Sequence, residues 1–331
     1  MDYFNDHKKL FLTAFALFAF LTVMVAIMPA IYNQTNNSVL PGSEPLSDDA
    51  LEGKALYLSN GCVACHTQQV RNVEMDKVWG SRPGVAADYA GNTRTDFFRN
   101  TATLMGTERT GPDLTDIGTR QPSLEWHLMH LYQPRAVVKA SIMPTYSWLF
   151  KMQDELQPGD IEIKVPDEFR RGQGKIVATK EAIQLVAYLQ SLKQVKLYDT
   201  ASVPKFLYKK SVKVAGSPAG IEPELDGASL YAANCQSCHQ ANGEGLKGAF
   251  PPLKGSPVVL EDNPELLIDI IMNGYDPREE YGSMPAVGKA VNLSPEVVSA
   301  IINHERTSWG NNARKVSADE VKKIIELLSK K

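Results

Sequence analysis

The strongest constraint in this sequence is a short cysteine motif that occurs twice in the same frame. Each copy reads Cys-x-x-Cys-His and follows a Gly-x-x-Leu-Tyr segment, over residues 53–66 and 227–239. The chain has four cysteines, and all of them belong to these two motifs. This arrangement excludes a dense disulfide scaffold and predicts two copies of one small domain.

The repeat extends beyond the cysteines. A proline motif follows each histidine, at Pro112 and at Pro251, and a Met-Pro pair comes later, at Met143 and Met284. The proline and the methionine are 31 positions apart in the first copy and 33 in the second. The histidine and the proline, in contrast, are 46 positions apart in the first copy and 12 in the second. We therefore expect an insertion of about 34 residues between the cysteine motif and the methionine of the first copy.

Cys-x-x-Cys-His is the attachment sequence of c-type haem. Two thiols on one turn can form thioether bonds to the porphyrin, and the imidazole of the next residue is then placed to bind the iron. We predict two covalently bound haem c groups. The attaching cysteines are Cys62, Cys65, Cys235 and Cys238, and the proximal metal ligands are His66 and His239.

Other interpretations of the cysteine pairs are possible. A zinc site needs two further Cys or His ligands for each pair, which the remaining histidines supply only with difficulty. A thioredoxin-like motif has no need of the following histidine. Structural disulfides would make the chain a colourless cell-surface binding module, and they leave the two histidines at the same offset without an explanation.

The sixth ligands are predicted from spacing. Met143 and Met284 lie at matched distances from the proline motifs, with Met105 and Met129 as fallback ligands in the first domain. A thioether on iron raises the reduction potential, and filling both axial positions favours electron transfer over the binding of oxygen. No catalytic residue is predicted in this chain.

A transmembrane anchor is predicted at the N-terminus. From Leu10 to Ile31 the sequence has 22 residues without a charge, and about 20 suffice to cross the hydrocarbon core of a bilayer. A cleaved signal peptide has a shorter apolar region, and a buried core helix is the other alternative. Lys8 and Lys9 precede the segment and favour a cytoplasmic N-terminus, which places the rest of the chain outside the cytoplasm.

The predicted fold is all-α, with one transmembrane helix followed by two class I cytochrome c domains. The anchor is expected over 1–39, the first domain with its insertion over 40–200, a linker over 201–226 and the second domain over 227–331. Each copy closes with an amphipathic helix, containing Leu185 and Leu189 in the first and Ile324 and Leu328 in the second. The net charge of −3 argues against nucleic acid as a partner.

Several segments resemble one known family. They are Gln68–Arg71 after the first haem motif, Arg109–Leu114, Trp126–Leu131, Pro134–Val138 and Ser141–Tyr146. In this order, and together with the anchor and the insertion, they resemble the mono-haem FixO/CcoO subunit of cbb3-type haem-copper oxidases. The resemblance covers roughly the first 200 residues. The second domain resembles a generic class I cytochrome c, which the usual subunit does not carry.

The resemblance implies a dihaem electron-transfer subunit of a terminal oxidase in aerobic respiration. Electrons would come from a soluble or membrane cytochrome c, and oxygen reduction would occur on the haem-copper catalytic subunit, beside other membrane oxidase subunits. The implied location is the bacterial inner membrane, with a single pass in the lipid bilayer and both haem domains on the periplasmic face. A cytochrome c subunit of a nitric oxide reductase or of a membrane dehydrogenase is the alternative.

Two histidines are left without an assigned role. His127 and His130 are three residues apart, so they share one helix face. Neutral packing is one interpretation, and contact with a haem propionate or a partner subunit is the other. The sequence alone leaves both open.

Overall fold

The structure is a computed structural model that describes most of the chain. The described residues are 4–36, 45–89, 104–106, 108–170, 172–197, 203–206, 225–276 and 280–329. The predicted linker lies largely outside the described residues, as does part of the predicted insertion.

The N-terminal segment is helical over its whole apolar stretch. It consists of α1 (His7–Leu21), one π-helical segment (Thr22–Ile27) and α2 (Met28–Asn36). Asp6 caps α1 by accepting hydrogen bonds from the main-chain N–H groups of residues 8 and 9. The span from His7 to Tyr32 has a mean hydropathy of 2.6 over its most apolar window, and none of that window is buried in the protein. This helix is therefore long and apolar enough to anchor the chain in a membrane.

Two crossing helices organise the first domain. They are α3 (Asp48–Ser59) and α7 (Lys180–Ser191), and Ser47 and Thr179 cap their N-termini. They meet at Gly53, where an added Cβ would lie 1.9 Å from the main-chain oxygen of Gln184. The glycine of the Gly-x-x-Leu-Tyr frame is therefore the residue that lets the two backbones approach.

Short elements fill the space between these two helices. They are α4 (Ile117–Arg120), α5 (Leu124–Tyr132), α6 (Pro134–Val137) and 3₁₀ segments at Cys62–Ala64, Glu74–Asp76, Ala86–Tyr89, Ser147–Leu149 and Asp167–Phe169. A small antiparallel sheet of β1 (Phe150–Gln153) and β2 (Lys175–Ala178) precedes α7, with Phe150 opposite Ala178. The sequence analysis did not predict this sheet, but the chain is otherwise helix-rich, and the predicted fold class is confirmed.

The second domain repeats the same helix crossing. Its elements are α8 (Gly227–Asn234), α9 (Gln236–His239), α10 (Pro257–Leu260), α11 (Glu265–Asn273), α12 (Val287–Ala290), α13 (Pro295–Thr307) and α14 (Ala318–Leu328). Gly227 lies against α13, with an added Cβ 2.3 Å from the main-chain oxygen of Ala300. The structural counterpart of α7 is therefore α13, and α14 is an additional helix that covers α11 and α13.

Candidate haem sites

The first cysteine motif forms a tight turn after α3. Gly61 has φ +71°, a left-handed conformation that ends the helix at little cost for glycine. The main-chain oxygen of Cys62 then accepts hydrogen bonds from the N–H groups of Cys65 and His66. The turn therefore brings the two cysteines and the histidine of the motif together.

The imidazole of His66 is fixed on one side by a main-chain oxygen. Its Nδ1 lies 2.8 Å from the oxygen of Pro112, and because a carbonyl only accepts, Nδ1 carries the hydrogen. This leaves Nε2 as the nitrogen available to a metal. Gly111 packs against the ring, because an added Cβ there would lie 2.4 Å from Cε1 of His66.

A buried ionic network supports this loop. Asp113 is fully buried and accepts hydrogen bonds from the Thr67 hydroxyl at 2.6 Å and the Gln69 main-chain N–H at 2.8 Å. Arg109 pairs with Asp113 and with the equally buried Asp76. The residues that follow the histidine are thereby tied to the residues that carry Pro112. This network accounts for Arg109 without any bound anion.

The second motif has the same arrangement in a different frame. His239 ends α9, its main-chain N–H donates to the oxygen of Cys235 at 3.0 Å, and its Nδ1 lies 2.9 Å from the oxygen of Pro251. Gly245 has φ +63°, and an added Cβ would lie 2.5 Å from that proline oxygen. The sequence spacing between the histidine and the proline differs between the domains. In both domains, however, Nδ1 of the histidine bonds the main-chain oxygen of the proline.

A cavity opens beside the second motif. It encloses about 1300 Å³ including its open mouth, and the side chains that line it include Cys235, Cys238, His239 and Met284. Both predicted axial ligands of this domain therefore face one space. Met284 is held by two main-chain hydrogen bonds with Tyr275, each 2.9 Å long.

The predicted ligand of the first domain has a less enclosed environment. Met143 is half-buried and packs against the core cluster that contains Cys62 and Tyr146. Of the two fallback ligands, Met129 is fully buried within the same core, whereas Met105 is 41% exposed. Spacing from Pro112, rather than burial, remains the reason to prefer Met143.

Cys62 is buried and Cys235 and Cys238 are half-buried, whereas Cys65 is exposed. Burial raises the pKa of Cys62 to about 11 and that of Cys238 to about 12, and it also raises the pKa of Cys235. Among the described residues, no group of three or more His, Cys, Asp or Glu side chains is placed to hold a metal ion. The geometry therefore gives no support to a zinc site built from the cysteine pairs.

Two buried polar atoms around the second cavity have no hydrogen-bond partner among the described residues, as expected of a site shaped for a larger group. They are Nε of Arg120 and Oε2 of Glu305, and both residues line the cavity. Buried polar atoms without hydrogen-bond partners are rare in native protein cores. Together with the cavity, the paired thiols and the oriented imidazole, they show that the residues present fit a covalently bound haem c.

The first domain forms one wall of this cavity. Arg120, Gln121, Pro122 and Ser123 belong to the first domain and line the space beside His239. The Gln121 amide donates to the Ser237 hydroxyl at 2.8 Å, and Ser283 donates to Glu125 at 2.8 Å. Ala249 and Phe250 of the second domain join the buried cluster of the first. The two cysteine motifs therefore lie in domains that are in contact with each other.

The two histidines of α5 have different surroundings. Nε2 of His127 donates to the main-chain oxygen of Gln121 at 2.8 Å, and burial lowers the pKa of this histidine to about 4. His130 stacks on Trp126, with ring centroids 4.7 Å apart, while its Nδ1 is buried without a partner. Burial lowers the pKa of His130 to about 3. His127 thus has a packing role, and the half-buried His130 packs against the Trp126 ring.

Some residues of the site were not identified from the sequence. Glu305, Gln121 and Ser237 carry no motif, because a lone glutamate, glutamine or serine resembles any surface residue. The positions of Glu305 on an otherwise apolar helix face and of Ser237 between two cysteines are the signals that could have drawn attention to them.

Comparison with known families agrees with this geometry. Residues 2–169 match the family model of the cytochrome c oxidase mono-haem subunit, FixO. Residues 222–304 match the model of subunit III of cbb3-type cytochrome c oxidase. Both models come from the same kind of oxidase, so the alternative of a nitric oxide reductase or a membrane dehydrogenase is not favoured.

Individual relatives are cytochromes. Cytochrome c-552 of Thermus thermophilus is 38% identical over 113 residues, which cover 30% of this chain and 85% of that protein. The cytochrome c subunit of a quinone alcohol dehydrogenase from Gluconacetobacter polyoxogenes is 36% identical over 110 residues, 32% of this chain and 24% of the relative. A fructose dehydrogenase cytochrome subunit of Gluconobacter japonicus is 31% identical over 153 residues, 42% of this chain and 32% of the relative. The chain thus spans only about a quarter to a third of the dehydrogenase subunits.

The similarity to small cytochromes and the FixO match support two separate conclusions. The match to a complete small cytochrome c agrees with the covalent haem c that the cysteine motifs require. The FixO match spans the apolar N-terminal helix, the first cysteine motif and the loop that carries Pro112 and Met143. Since that match covers half of the chain, the protein belongs to the FixO family of mono-haem cytochrome c oxidase subunits.

Proposed function

We propose that this protein carries two haem c groups and passes electrons between a donor and an oxidase. Each domain would hold one group, attached and ligated by its own residues. The first set is Cys62, Cys65, His66 and Met143, and the second set is Cys235, Cys238, His239 and Met284. A haem with histidine and methionine as axial ligands exchanges single electrons and leaves no position open for oxygen.

The chain's own residues prepare both sites for this task. The oxygens of Pro112 and Pro251 accept the hydrogen on Nδ1 of the adjacent histidine, which fixes the tautomer and the ring orientation. The same bonds increase the basicity of Nε2 toward the metal. Apolar walls keep water away, so little rearrangement accompanies a change in charge.

The location follows from the anchor. A single N-terminal helix would hold the protein in a bacterial inner membrane, with Lys8 and Lys9 on the cytoplasmic side. Both haem domains would then lie at the periplasmic face. Helix α1 carries small residues, among them Ala14, Ala16 and Ala19, that permit close packing against the helices of other oxidase subunits.

The proposed partners follow from the family. Electrons from a soluble or membrane cytochrome c would enter the second domain, cross to the first and pass to the haem-copper catalytic subunit, where oxygen is reduced. The observation that carries this proposal is the repetition of one histidine–proline arrangement in two domains that touch each other, behind one apolar anchor.

Purification of the native complex tests the proposal. We expect two covalent haem c groups per chain, measured as pyridine haemochrome after acid-acetone extraction, and oxygen consumption by the copurified complex. Replacing both Cys62 and Cys65 by serine should remove one group, and replacing Cys235 and Cys238 should remove the other. Fewer than two groups in the parent protein, or a complex that consumes nitric oxide but not oxygen, would contradict it.

A further inference from the structure

The side chain of Trp126 on helix α5 contacts the second cysteine motif and packs against the core that contains Cys62 of the first motif. The ring of Trp126 lies parallel to the imidazole of His130, with an angle of 8° between the planes. On its other edge, the indole Nε1 donates a hydrogen bond of 3.1 Å to the main-chain oxygen of Ser237. Ser237 stands between the two cysteines of the second motif. One tryptophan therefore connects α5 to the peptide that attaches the second haem.

The other side of the stack leads to the first motif. Trp126 packs against the buried core cluster of the first domain, and this cluster contains Cys62 of the first motif. Residues of α5 also belong to the buried cluster that includes Cys62.

The contact around Trp126 is polar at its rim and apolar at its centre. Gln121 donates a hydrogen bond to Ser237, and Glu125 accepts one from Ser283. The half-buried side chain of Cys238 packs against the core of the first domain.

We propose that this junction is the path by which electrons cross between the two haem sites, with the Trp126 ring and the Ser237 main chain as its bridging groups. The inference rests on the proposed function, because it requires a haem c in each domain. One electron leaves the second site, which is oxidised, and enters the first, which is reduced. No bond forms or breaks, and no proton is needed.

The full-length protein in detergent provides the test. A flash-excited ruthenium photosensitiser injects one electron, and absorbance then follows its redistribution between the haems. The two one-haem cysteine variants supply the reference spectra. Small-angle scattering on the same samples reports whether the domains remain in contact.

Three variants separate docking from bridging. Gln121→Ala and Trp126→Phe each remove one hydrogen bond across the junction, which lowers the docking equilibrium constant by about fivefold. Trp126→Leu also removes the stacked ring, and we expect a further slowing of redistribution of about fivefold. Trp148→Phe is the matched control, because the Trp148 indole bonds Asn60 outside the junction and its loss should leave the rate unchanged.

The outcomes are distinguishable. The proposed path is supported if electron redistribution is slowest in Trp126→Leu, less slowed in Trp126→Phe and unchanged in Trp148→Phe. Every variant must also keep two covalent haems and unchanged midpoint potentials. Rates equal to those of the parent protein in all Trp126 and Gln121 variants would overturn it. A parent protein with fewer than two haems, or one whose haems never exchange electrons, would instead refute the proposed function.

Discussion

Gly111 and His66 are in direct contact, and the imidazole occupies the space where any larger side chain at position 111 would lie. An added Cβ would approach Cε1 of the ring to 2.4 Å and Nδ1 to 2.7 Å. Because Nδ1 is also the atom that donates to Pro112, the space beside Gly111 and the orientation of the ligand are linked.

Gly111→Ala should displace the His66 ring and weaken its bond to Pro112. We expect a smaller low-spin haem fraction at the first site and a changed midpoint potential, while the second site stays as it was. Redox titration with low-temperature absorption spectra measures both. Gly84→Ala is the control, because its Cβ would approach other atoms only to 3.2 Å, away from the imidazole. An unchanged first haem in Gly111→Ala would show that the ring is held by other contacts.

Met143→Leu and Met284→Leu should each lower the potential of one haem. Leucine preserves the side-chain volume, so the change isolates the thioether. We expect shifts on the order of 100 mV, a fraction of the range of about 0.8 V that axial ligands span. Met129→Leu is the control within the first core, and redox titration resolves the three variants. If Met129→Leu shifts the first haem and Met143→Leu does not, the ligand assignment is wrong.

Acid should destabilise the first domain through His127. Its folded-state pKa of about 4 lies below the unfolded value of 6.5, so the unfolded chain binds a proton that the folded chain rejects. The contribution of His127 is complete above pH 6.5 and falls toward pH 4 by about 1.4 kcal/mol per pH unit, and His130, with a pKa lowered to about 3, adds a dependence of the same sign. His127→Gln should remove the part of this slope that His127 contributes, as measured in denaturant titrations at several pH values. The same slope in His127→Gln would assign the effect to another group.

Raising the pH from 4.5 to 8 should destabilise the second domain through Glu305. Burial raises the pKa of this carboxyl to about 8, so the folded state holds a proton that the unfolded state releases above pH 4.5. The free energy of unfolding should therefore fall by about 1.4 kcal/mol per pH unit between pH 4.5 and 8. Glu305→Gln removes the dependence, and Glu296→Gln, on the exposed face of the same helix, preserves it. Thermal unfolding at several pH values measures this dependence. A parent protein whose stability does not change with pH would contradict the prediction.

The repeated Gly-x-x-Leu-Tyr segment marks a helix contact as well as the position of each cysteine motif. The glycine of Gly-x-x-Leu-Tyr is the point where two helices cross in each domain, and such a contact follows from a residue without a side chain. The pairing of the closing helices was harder to predict. Both α7 and α14 are amphipathic, but only packing reveals that α13 is the helix that crosses α8. Amphipathicity identifies a buried face without identifying its partner.

The junction between the domains could not be predicted for a similar reason. Trp126 and His130 were visible as part of a family-like segment, whereas Ser237 was simply the residue between two cysteines. A contact that joins positions 126 and 237 depends on how two folded surfaces meet, and neither periodicity nor spacing encodes that meeting. The sheet β1–β2 escaped detection because each strand has only four residues.

The wall that residues 120–123 contribute to the second cavity has a consequence for biogenesis. Enzymatic attachment of a porphyrin requires access to both thiols, yet the half-buried Cys238 lies against the neighbouring domain. We therefore expect maturation to follow a fixed order, in which the second motif is loaded while the two halves are separate and the halves close together afterwards.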